Sequence, residues 1–428
     1  MFRFRFWPAA ALALLWQPPV FAASDAELAQ IRDEIRELKA AYEARIQALE
    51  RRLMEAETRA AAPVASQPAA APAPVALAAP ASATASANAF NPAISAILTG
   101  TYANLSRDPR AFAIPGFRPE GEIGPGRRGF GLGESELVFT ANVDPHFAGN
   151  LIMSVTPEDT IAVEEAYGLF LTAPYGLAPK FGRFLSGIGY QNEQHAHAWD
   201  FVDAPLAYQA FLGGRYRTDG VQVKWVAPID HYVELGGEIG NGDAFPGSDR
   251  NRNGAGARAV FAHTGGDIGD SHNWRAGVSY LRTNACVPLQ DGDPDACTDA
   301  RSRLAIADFV WKYSLHGNIR ERYLKVQGEY FSGRIRDEVR QSGWYLQGVY
   351  QFLPEWRAGV RHERLDPRGV DDAAYAPRKT SVMLDYNPSE FTRIRLQFAR
   401  SQMLPDVTDN QWLVQYILSL GAHGAHRY

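Results

Sequence analysis

The sequence has few cysteines, no large excess of either charge and, after its N-terminal residues, no long apolar run. Its 428 residues carry 43 Lys and Arg against 48 Asp and Glu, for a net charge of −5. A nucleic-acid partner is not expected, because such a partner favours a basic protein face. Without a stretch of eighteen apolar residues, transmembrane helices are not expected either.

Only two cysteines are present, Cys286 and Cys297, and both lie in one Asp-rich stretch. In an oxidising compartment such a pair forms a disulfide, whereas in a reducing compartment both thiols would be free. The N-terminal sequence indicates export, so the disulfide is the expected state.

Residues 1–22 have the pattern of a secretory signal peptide. A positive start, Arg3 and Arg5, precedes a short apolar core at residues 9–16 and a small-residue cleavage site before Ala23. The core is too short to anchor the chain in a bilayer. No cysteine follows the cleavage site, so a lipoprotein is not expected.

Residues 23–59 predict a helix with a narrow apolar stripe. The stripe has the three- and four-residue spacing of a heptad seam with one stutter. Its members are Leu28, Ile31, Ile35, Leu38, Tyr42, Ile46, Leu49 and Leu53. A coiled coil is favoured over a single helix lying on another surface. Residues 60–90, mostly Ala with several Pro, predict a disordered linker before a folded domain at residues 91–428.

The folded domain predicts β-strands with apolar residues at alternate positions. The last of them, Gln411–Leu420, is ten residues long, about the length of a tilted transmembrane strand. Seventeen strand-like runs are present, and the weakest, near Tyr208, is assigned to a loop, which leaves sixteen. Short turns alternate with longer loops, as in outer-membrane barrels. The expected fold is therefore an all-β, transmembrane antiparallel β-barrel.

Charged residues occupy the other alternate positions of these strands. An Arg or Lys that faces lipid at the midplane costs about 2–4 kcal/mol. The charges should therefore face a wet lumen, since a sixteen-strand barrel is too wide to fill with its own side chains. The expected pore-lining residues are Lys224, Glu234, Glu238, Lys325, Glu329, Arg357, Arg361, Arg393 and Arg395.

The loop at residues 185–215 is too apolar for a free outer loop. It contains Trp199, Phe201, Leu206 and Phe211. We expect it to fold into the lumen as a constriction. The alternative is that it packs at an interface between subunits.

The signal peptide, coiled-coil helix, Ala/Pro linker and sixteen-strand barrel together resemble the trimeric outer-membrane porins, especially the phosphate-selective porin O/P type. The resemblance implies a homotrimer in the outer membrane of a Gram-negative bacterium, with the helix in the periplasm. It implies a channel for passive diffusion of small hydrophilic solutes or ions, with outer-membrane lipid around it and no required cofactor. Residues 90–428 hold 34 Lys and Arg against 39 Asp and Glu, so no cationic excess supports phosphate selectivity.

The end of the chain departs from the porin pattern. Porins usually finish the last strand on a terminal aromatic residue, whereas seven residues separate this strand from Tyr428.

Two histidine pairs predict metal binding. His195 and His197 lie in the long loop, and His423 and His426 follow the last strand. Neutral imidazole is a common zinc ligand, and these spacings let two side chains reach one ion. The pairs are similar to those of outer-membrane proteins of zinc-regulated loci. A Zn²⁺ site is expected at the extracellular mouth and a weaker one at the periplasmic rim. The alternative is ordinary loop histidines.

Acidic neighbours of the first histidine pair could add an oxygen ligand. The candidates are Glu193, Asp200 and Asp203.

Three other functions compete with a passive channel. A metal-binding or uptake protein would use the histidine pairs, and a structural tether would use the coiled coil. A TonB-dependent receptor is disfavoured, because the chain lacks room for a plug domain and twenty-two strands. No serine-hydrolase elbow, nucleotide loop or zinc-protease motif is present, so the protein is not expected to be an enzyme.

Overall fold

The computed structural model describes residues 92–156, 160–249, 253–288, 297–318, 320–368 and 375–421. The predicted signal peptide, coiled-coil helix and Ala/Pro linker lie outside the described residues, and so do His423 and His426.

Seventeen β-strands form one closed antiparallel sheet in which β17 pairs with β1. The strands are β1 (Ala93–Leu105), β2 (Gly129–Leu132), β3 (Ser135–Asn142), β4 (Phe147–Val155), β5 (Ile161–Phe170), β6 (Leu177–Leu185), β7 (Arg217–Val226), β8 (Tyr232–Gly240), β9 (Ala257–Ile268), β10 (His272–Pro288), β11 (Cys297–Ser314), β12 (Tyr323–Arg334), β13 (Gln341–Leu353), β14 (Trp356–Asp366), β15 (Arg378–Ser389), β16 (Thr392–Leu404) and β17 (Val407–Gly421).

Strands β2 and β3 act as one interrupted strand. Both pair with β1, through Gly100 opposite Leu132 and Ile97 opposite Glu136. The barrel therefore has sixteen strands, which confirms the predicted fold and strand number.

The predicted alternation of connection length holds in part, since 335–340 and 405–406 are short although they lie at the same end as the long loops. The longer ones, at 106–128, 186–216, 241–256 and 367–377, all lie at one end of the barrel, which we call the loop end. Tight turns, such as 354–355 and 390–391, lie at the opposite end, which we call the turn end.

One short helix, α1 (Leu206–Leu212), lies in the loop between β6 and β7. Tyr208 falls within it, so the weak strand-like run at this position is part of a loop, as predicted. Gly213 ends the helix in the left-handed region, with φ of 65°, where a glycine is favoured. Among the described residues, no helix is long and apolar enough to cross a membrane.

The strands place apolar side chains on the outside of the barrel. In β17, five alternate residues from Trp412 to Leu420 are 36–52% exposed. Between them, Leu413, Gln415 and Ile417 point inward and are at most 6% exposed. The period of two that predicted the strand therefore also predicted which face is outside.

The loop end of the barrel interior is filled by an apolar cluster. The loop between β6 and β7 supplies Ile188 and most of α1, and the barrel wall supplies Phe261, Leu304 and Phe331. These side chains are at most 4% exposed, except for a few at the edge of the cluster. The predicted inward fold of this loop is confirmed, whereas a wet lumen is not found among the described residues at this level. The strands alone cannot fill so wide a barrel, but a loop of the same chain can.

The structure joins Cys286 of β10 to Cys297 of β11, with their Cα atoms 5.4 Å apart. The two residues flank residues 289–296, which lie outside the described part of the chain. The bond therefore links β10 and β11 close to the loop that connects them.

We predict that the exported protein carries this disulfide. Thiol labelling of the denatured, unreduced protein should find no free thiol, because both cysteines are consumed by the bond. Labelling after reduction should find two. Two reactive thiols before reduction would contradict the prediction.

Candidate functional site

The loop at residues 186–216, which we call the inner loop, lies inside the barrel and contacts inward residues of many strands. Its carboxylates meet cations of the barrel wall. Asp200 lies 2.9 Å from Lys325 Nζ and 3.3 Å from an Arg357 nitrogen. Asp203 lies 2.9 Å from Arg361 Nη2 and also bonds to Lys379. The wall thus neutralises the charges that the loop brings inside.

Glu193 makes a third link of this kind, on the opposite wall. It bonds to Lys224 of β7 and lies 3.8 Å from Arg275 of β10. The acidic residues that were predicted as extra metal ligands, Glu193, Asp200 and Asp203, are therefore all engaged with cations. As ligands for the first histidine pair they were the wrong choice.

Carboxylates of the wall accept hydrogen bonds from the backbone of the inner loop. Glu238 accepts from the Gly187 N–H at 2.8 Å. Glu329 accepts from the N–H groups of Tyr190 and Gln191 at 3.2 and 3.0 Å, and from the Tyr208 hydroxyl at 2.8 Å. Backbone groups that the loop buries thereby gain partners.

Gly189 lets the inner loop approach Glu329 this closely. Its φ is 69°, and a Cβ atom there would lie 2.5 Å from a Glu329 oxygen. A side chain at this position would separate the loop from the wall.

Two arginines of β16 hold the inner loop by its carbonyl oxygens. Arg393 donates to the His197 oxygen at 3.1 Å, and Arg395 donates to the Trp199 oxygen at 2.9 Å. Arg395 is completely buried and also bonds to Asp385 at 2.7 Å.

The nine residues predicted to line a pore all point into the barrel. Eight of them contact the inner loop directly, and the ninth, Glu234, contacts Lys224 and His263. At this level they hold a loop instead of facing open water. Their role in lining a path for solutes stays a prediction.

Buried charges on the loop are held ionised by these partners. Burial alone would raise the pKa of Asp200, but the charges of Lys325 and Arg357 outweigh it and hold the pKa well below its usual range. Lys379 and Arg361 have the same effect on the pKa of Asp203. Asp200 and Asp203 are therefore ionised and form buried salt bridges over the whole physiological pH range.

A second feature of the interior is a β-bulge in β5. Ile152 of β4 lies opposite Glu165, and Met153 lies opposite Val163, so Glu164 is an extra residue. The bulge turns two consecutive carboxylates, Glu164 and Glu165, toward the interior, where they are at most 7% exposed.

The two carboxylates of the bulge meet His195 of the inner loop. His195 Nδ1 lies 3.1 Å from Glu164 Oε2, and His195 Nε2 lies 3.0 Å from Glu165 Oε2. Glu136 of β3 bridges the histidine pair, with one oxygen 3.4 Å from His195 Nδ1 and the other 2.8 Å from His197 Nδ1. We call these five residues the histidine–carboxylate cluster.

Arg215 closes one side of the histidine–carboxylate cluster. It bonds to Glu134 at 2.6 Å and lies 3.4 Å from Glu164. The cluster holds three carboxylates, and Arg215 supplies one positive charge beside it. Further positive charge, from a protonated imidazole or a bound cation, therefore stabilises the cluster.

The imidazole can supply part of that charge. Burial disfavours the charged ring, but the hydrogen bonds that it donates to Glu164 and Glu165 outweigh this effect and raise the pKa of His195 to about 10. A divalent ion is the other solution. Glu136, Glu164 and His195 each offer one ligand atom, and all three atoms lie within 4.8 Å of one another.

His195 and His197 lie inside the barrel against β3 and β5. The acidic residues beside them are not the ones predicted, and metal binding by this pair stays a prediction. Glu136, Glu164 and Glu165 were not among the predicted site residues. A signal was available, because two adjacent glutamates inside a strand break the alternation of faces and indicate a bulge.

No protein-family model matches the chain. An uncharacterized protein of Aquifex aeolicus (strain VF5) is 30% identical over 384 residues, which cover 79% of this chain and 80% of that protein.

Solved outer-membrane barrels have the same fold at low sequence identity. The outer membrane channel DcaP of Acinetobacter baumannii is 13% identical, with a TM-score of 0.51 over 76% of this chain and 96% of that chain. An anion-selective porin from Comamonas acidovorans is 11% identical, with a TM-score of 0.51 over 77% and 99%. OmpF of Salmonella typhi is 12% identical, with a TM-score of 0.51 over 78% and 99%.

We predict that Asp203→Asn destabilises the barrel by about 3–5 kcal/mol, because it leaves the buried cation of Lys379 without its carboxylate and Arg361 with Glu363 alone. Urea unfolding in detergent, followed by tryptophan fluorescence, measures the change. Asp108→Asn is the control, since its pair with Arg110 is largely exposed, and it should cause no measurable change. Equal stability of the two variants would contradict the assignment of Asp203 as an anchor.

Proposed function

Because the chain belongs to the family of the Aquifex aeolicus protein and folds as a sixteen-strand barrel, we propose that it is an outer-membrane channel. Its cargo would be small hydrophilic solutes or ions that pass by diffusion. The observation that carries this proposal is a closed barrel with apolar side chains outside and ionic side chains inside. Such a barrel is stable in a bilayer and offers a polar interior. No enzymatic activity is proposed.

The signal peptide predicted at residues 1–22 supports export to the outer membrane of a Gram-negative bacterium. The solved barrels with the same fold include proteins described as porins and channels. At 11–13% identity these likenesses support the fold, and the transport role rests on the chain's own charges.

The inner face of the barrel wall carries charges of both signs. Cations are most numerous on β12 and β14–β16, which carry Lys325, Arg357, Arg361, Lys379 and Arg395. Buried carboxylates lie on β3–β8, at Glu136, Glu164, Glu165 and Glu238, and also on β11–β15, at Asp308, Glu329, Glu363 and Asp385. Charges of both signs around the interior create a local field that orders water and disfavours apolar solutes.

The inner loop crosses this field and is the proposed control point of the channel. It is anchored on both walls, through Glu193 on one side and Asp200 and Asp203 on the other. Passage through the barrel would depend on how far the loop moves from these anchors.

We predict that Asp200→Asn/Asp203→Asn increases conductance in planar lipid bilayers severalfold, because the loop loses its anchors on β12, β14 and β15. Single-channel recording of the purified, folded protein measures the change. The matched control is Asp230→Asn/Asp270→Asn, which changes two exposed acids at the turn end.

The two possible failures of that experiment differ in meaning. If wild type and both variants conduct equally, the inner loop does not control passage. If none of the folded proteins conducts, the channel function itself is wrong.

A metal-binding function is a second candidate, since the histidine–carboxylate cluster has a specific feature in its favour. Glu136 Oε2 is buried without a hydrogen-bond partner and lies beside His195. Together with Glu164 it would give a transition metal such as zinc three ligands of suitable chemistry, one nitrogen and two oxygens.

For this second candidate we predict that the purified barrel binds one Zn²⁺ in a calorimetric titration. His195→Ala/His197→Ala and Glu164→Gln should each weaken binding by at least about tenfold, because each removes a ligand. The control is His231→Ala/His272→Ala, which removes two histidines at the turn end, away from the cluster. If zinc does not bind the wild type, His195 serves only as a charged partner of the carboxylates.

We also propose that the protein is a homotrimer. One solved barrel with this fold, OmpT of Vibrio cholerae, is described in a trimer form, and the helix predicted at residues 23–59 favours self-association. We predict a native mass in detergent three times that of one chain. A monomer at all concentrations would remove both the trimer and the coiled coil.

A further inference from the structure

Four arginines form a row on the outer face of the barrel, near the loop end. They lie on four consecutive strands, β9 to β12, and are directly opposite one another across the sheet. Arg282 lies opposite both Arg258 and Arg303, and Arg303 lies opposite Arg334. All four side chains are exposed. We call them the arginine row.

The arginine row has no anionic partner within the described part of the chain. No carboxylate there lies within the 4.0 Å of a salt bridge to any of the four guanidinium groups. Like charges directly opposite each other weaken a sheet. An arrangement repeated across three strand pairs therefore indicates an anion from outside the chain.

The height of the arginine row places it at the edge of the apolar belt. One step toward the turn end, the same outer face carries Val260 and Tyr280, which are 59% and 43% exposed. Trp274 and Trp311 mark the other edge of the apolar belt. They lie eight residues from Arg282 and Arg303 along β10 and β11. Eight residues of a tilted strand span roughly 20 Å, close to the height of a lipid-facing belt between its two interfaces.

The arginine row also borders a cleft. A space of about 130 Å³ is lined by Arg258, Arg282, Asn284 and the segment 255–257. The two guanidinium groups and the amide nitrogen of Asn284 supply hydrogen-bond donors, which suit an oxyanion. Arginine binds phosphate through two parallel hydrogen bonds, so this lining matches a phosphate group.

We propose that Arg258, Arg282, Arg303 and Arg334 bind the phosphate groups of an anionic lipid in the leaflet at the loop end. The phosphates would occupy the row and its cleft, and the acyl chains would lie on the apolar surface that begins at Val260 and Tyr280. A lipid fits better than free phosphate, because charged and apolar contacts adjoin at a single height. The proposal rests on the membrane placement of the barrel but not on what passes through it.

The test uses the full chain in dodecyl maltoside and a lipid with two phosphate groups, diphosphoryl lipid A. Native mass spectrometry gives the dissociation constant. Arg282→Gln/Arg303→Gln should weaken binding by at least about tenfold, since it removes two charge-assisted contacts. Arg320→Gln/Arg322→Gln, the same charge change at the turn end, should alter binding by less than twofold.

Two further probes identify the ligand. Monophosphoryl lipid A should bind more weakly than the diphosphoryl form, and inorganic phosphate at equal concentration should not displace the lipid. Equal binding by both double variants would overturn the proposal, and so would full displacement by inorganic phosphate. If Arg282→Gln/Arg303→Gln leaves lipid binding unchanged but alters the oligomer mass, the row contacts a second copy and the lipid proposal fails.

Loss of folding cannot imitate the expected result. Arg282→Gln/Arg303→Gln relieves all three opposed arginine pairs of the row, so it should not lower stability in lipid-free detergent. Diphosphoryl lipid A should raise the thermal unfolding temperature of wild type and of the Arg320→Gln/Arg322→Gln control, and it should raise that of Arg282→Gln/Arg303→Gln much less.

Discussion

Closing sixteen strands into a barrel creates an interior that the strands' own side chains cannot fill. Every other feature of the interior follows from how this chain occupies that space. The inner loop brings an apolar helix to the loop end, where inward residues of β9–β14 are apolar as well. Below that level the loop is polar, and its charged side chains pair with opposite charges of the wall, as Asp200 and Asp203 do. Because burying an unpaired ion costs several kcal/mol, loop and wall must fit together residue by residue.

Buried ion pairs of this kind specify an arrangement more than they stabilise it. Two charges taken out of water recover little net free energy when they meet, but the loss of one partner is severe. The inner loop is therefore confined to one position, because in any other position its buried charges would lose their partners. Since these pairs are shielded from solvent, salt should screen them far less than exposed pairs such as Asp108 with Arg110.

The strands and the inward charges could be predicted from the sequence, because a period of two is a local property. Trp412 to Leu420 predicted one face of β17, and Lys224 to Arg395 predicted the inward face of the wall. The partners of these charges could not be predicted, since Asp200 meets Arg357 only after a long loop has entered the barrel. The entry of this loop into the lumen was predicted from its apolar residues, but how completely it fills the loop end was not. The bulge at Glu164 was within reach of local reasoning, because two adjacent glutamates cannot both face inward in a regular strand.

The bulge in β5 has a consequence for how such barrels change over time. A substitution can add an inward carboxylate only at every second position of a strand. An inserted residue at Glu164 adds one beside Glu165, and the pairing of β5 with β4 resumes in register on both sides. Insertion therefore gives a membrane strand a second acid at one height without turning any charge toward lipid. Related barrels can gain or lose a polar centre through the insertion or deletion of one residue, while the outer surface stays the same.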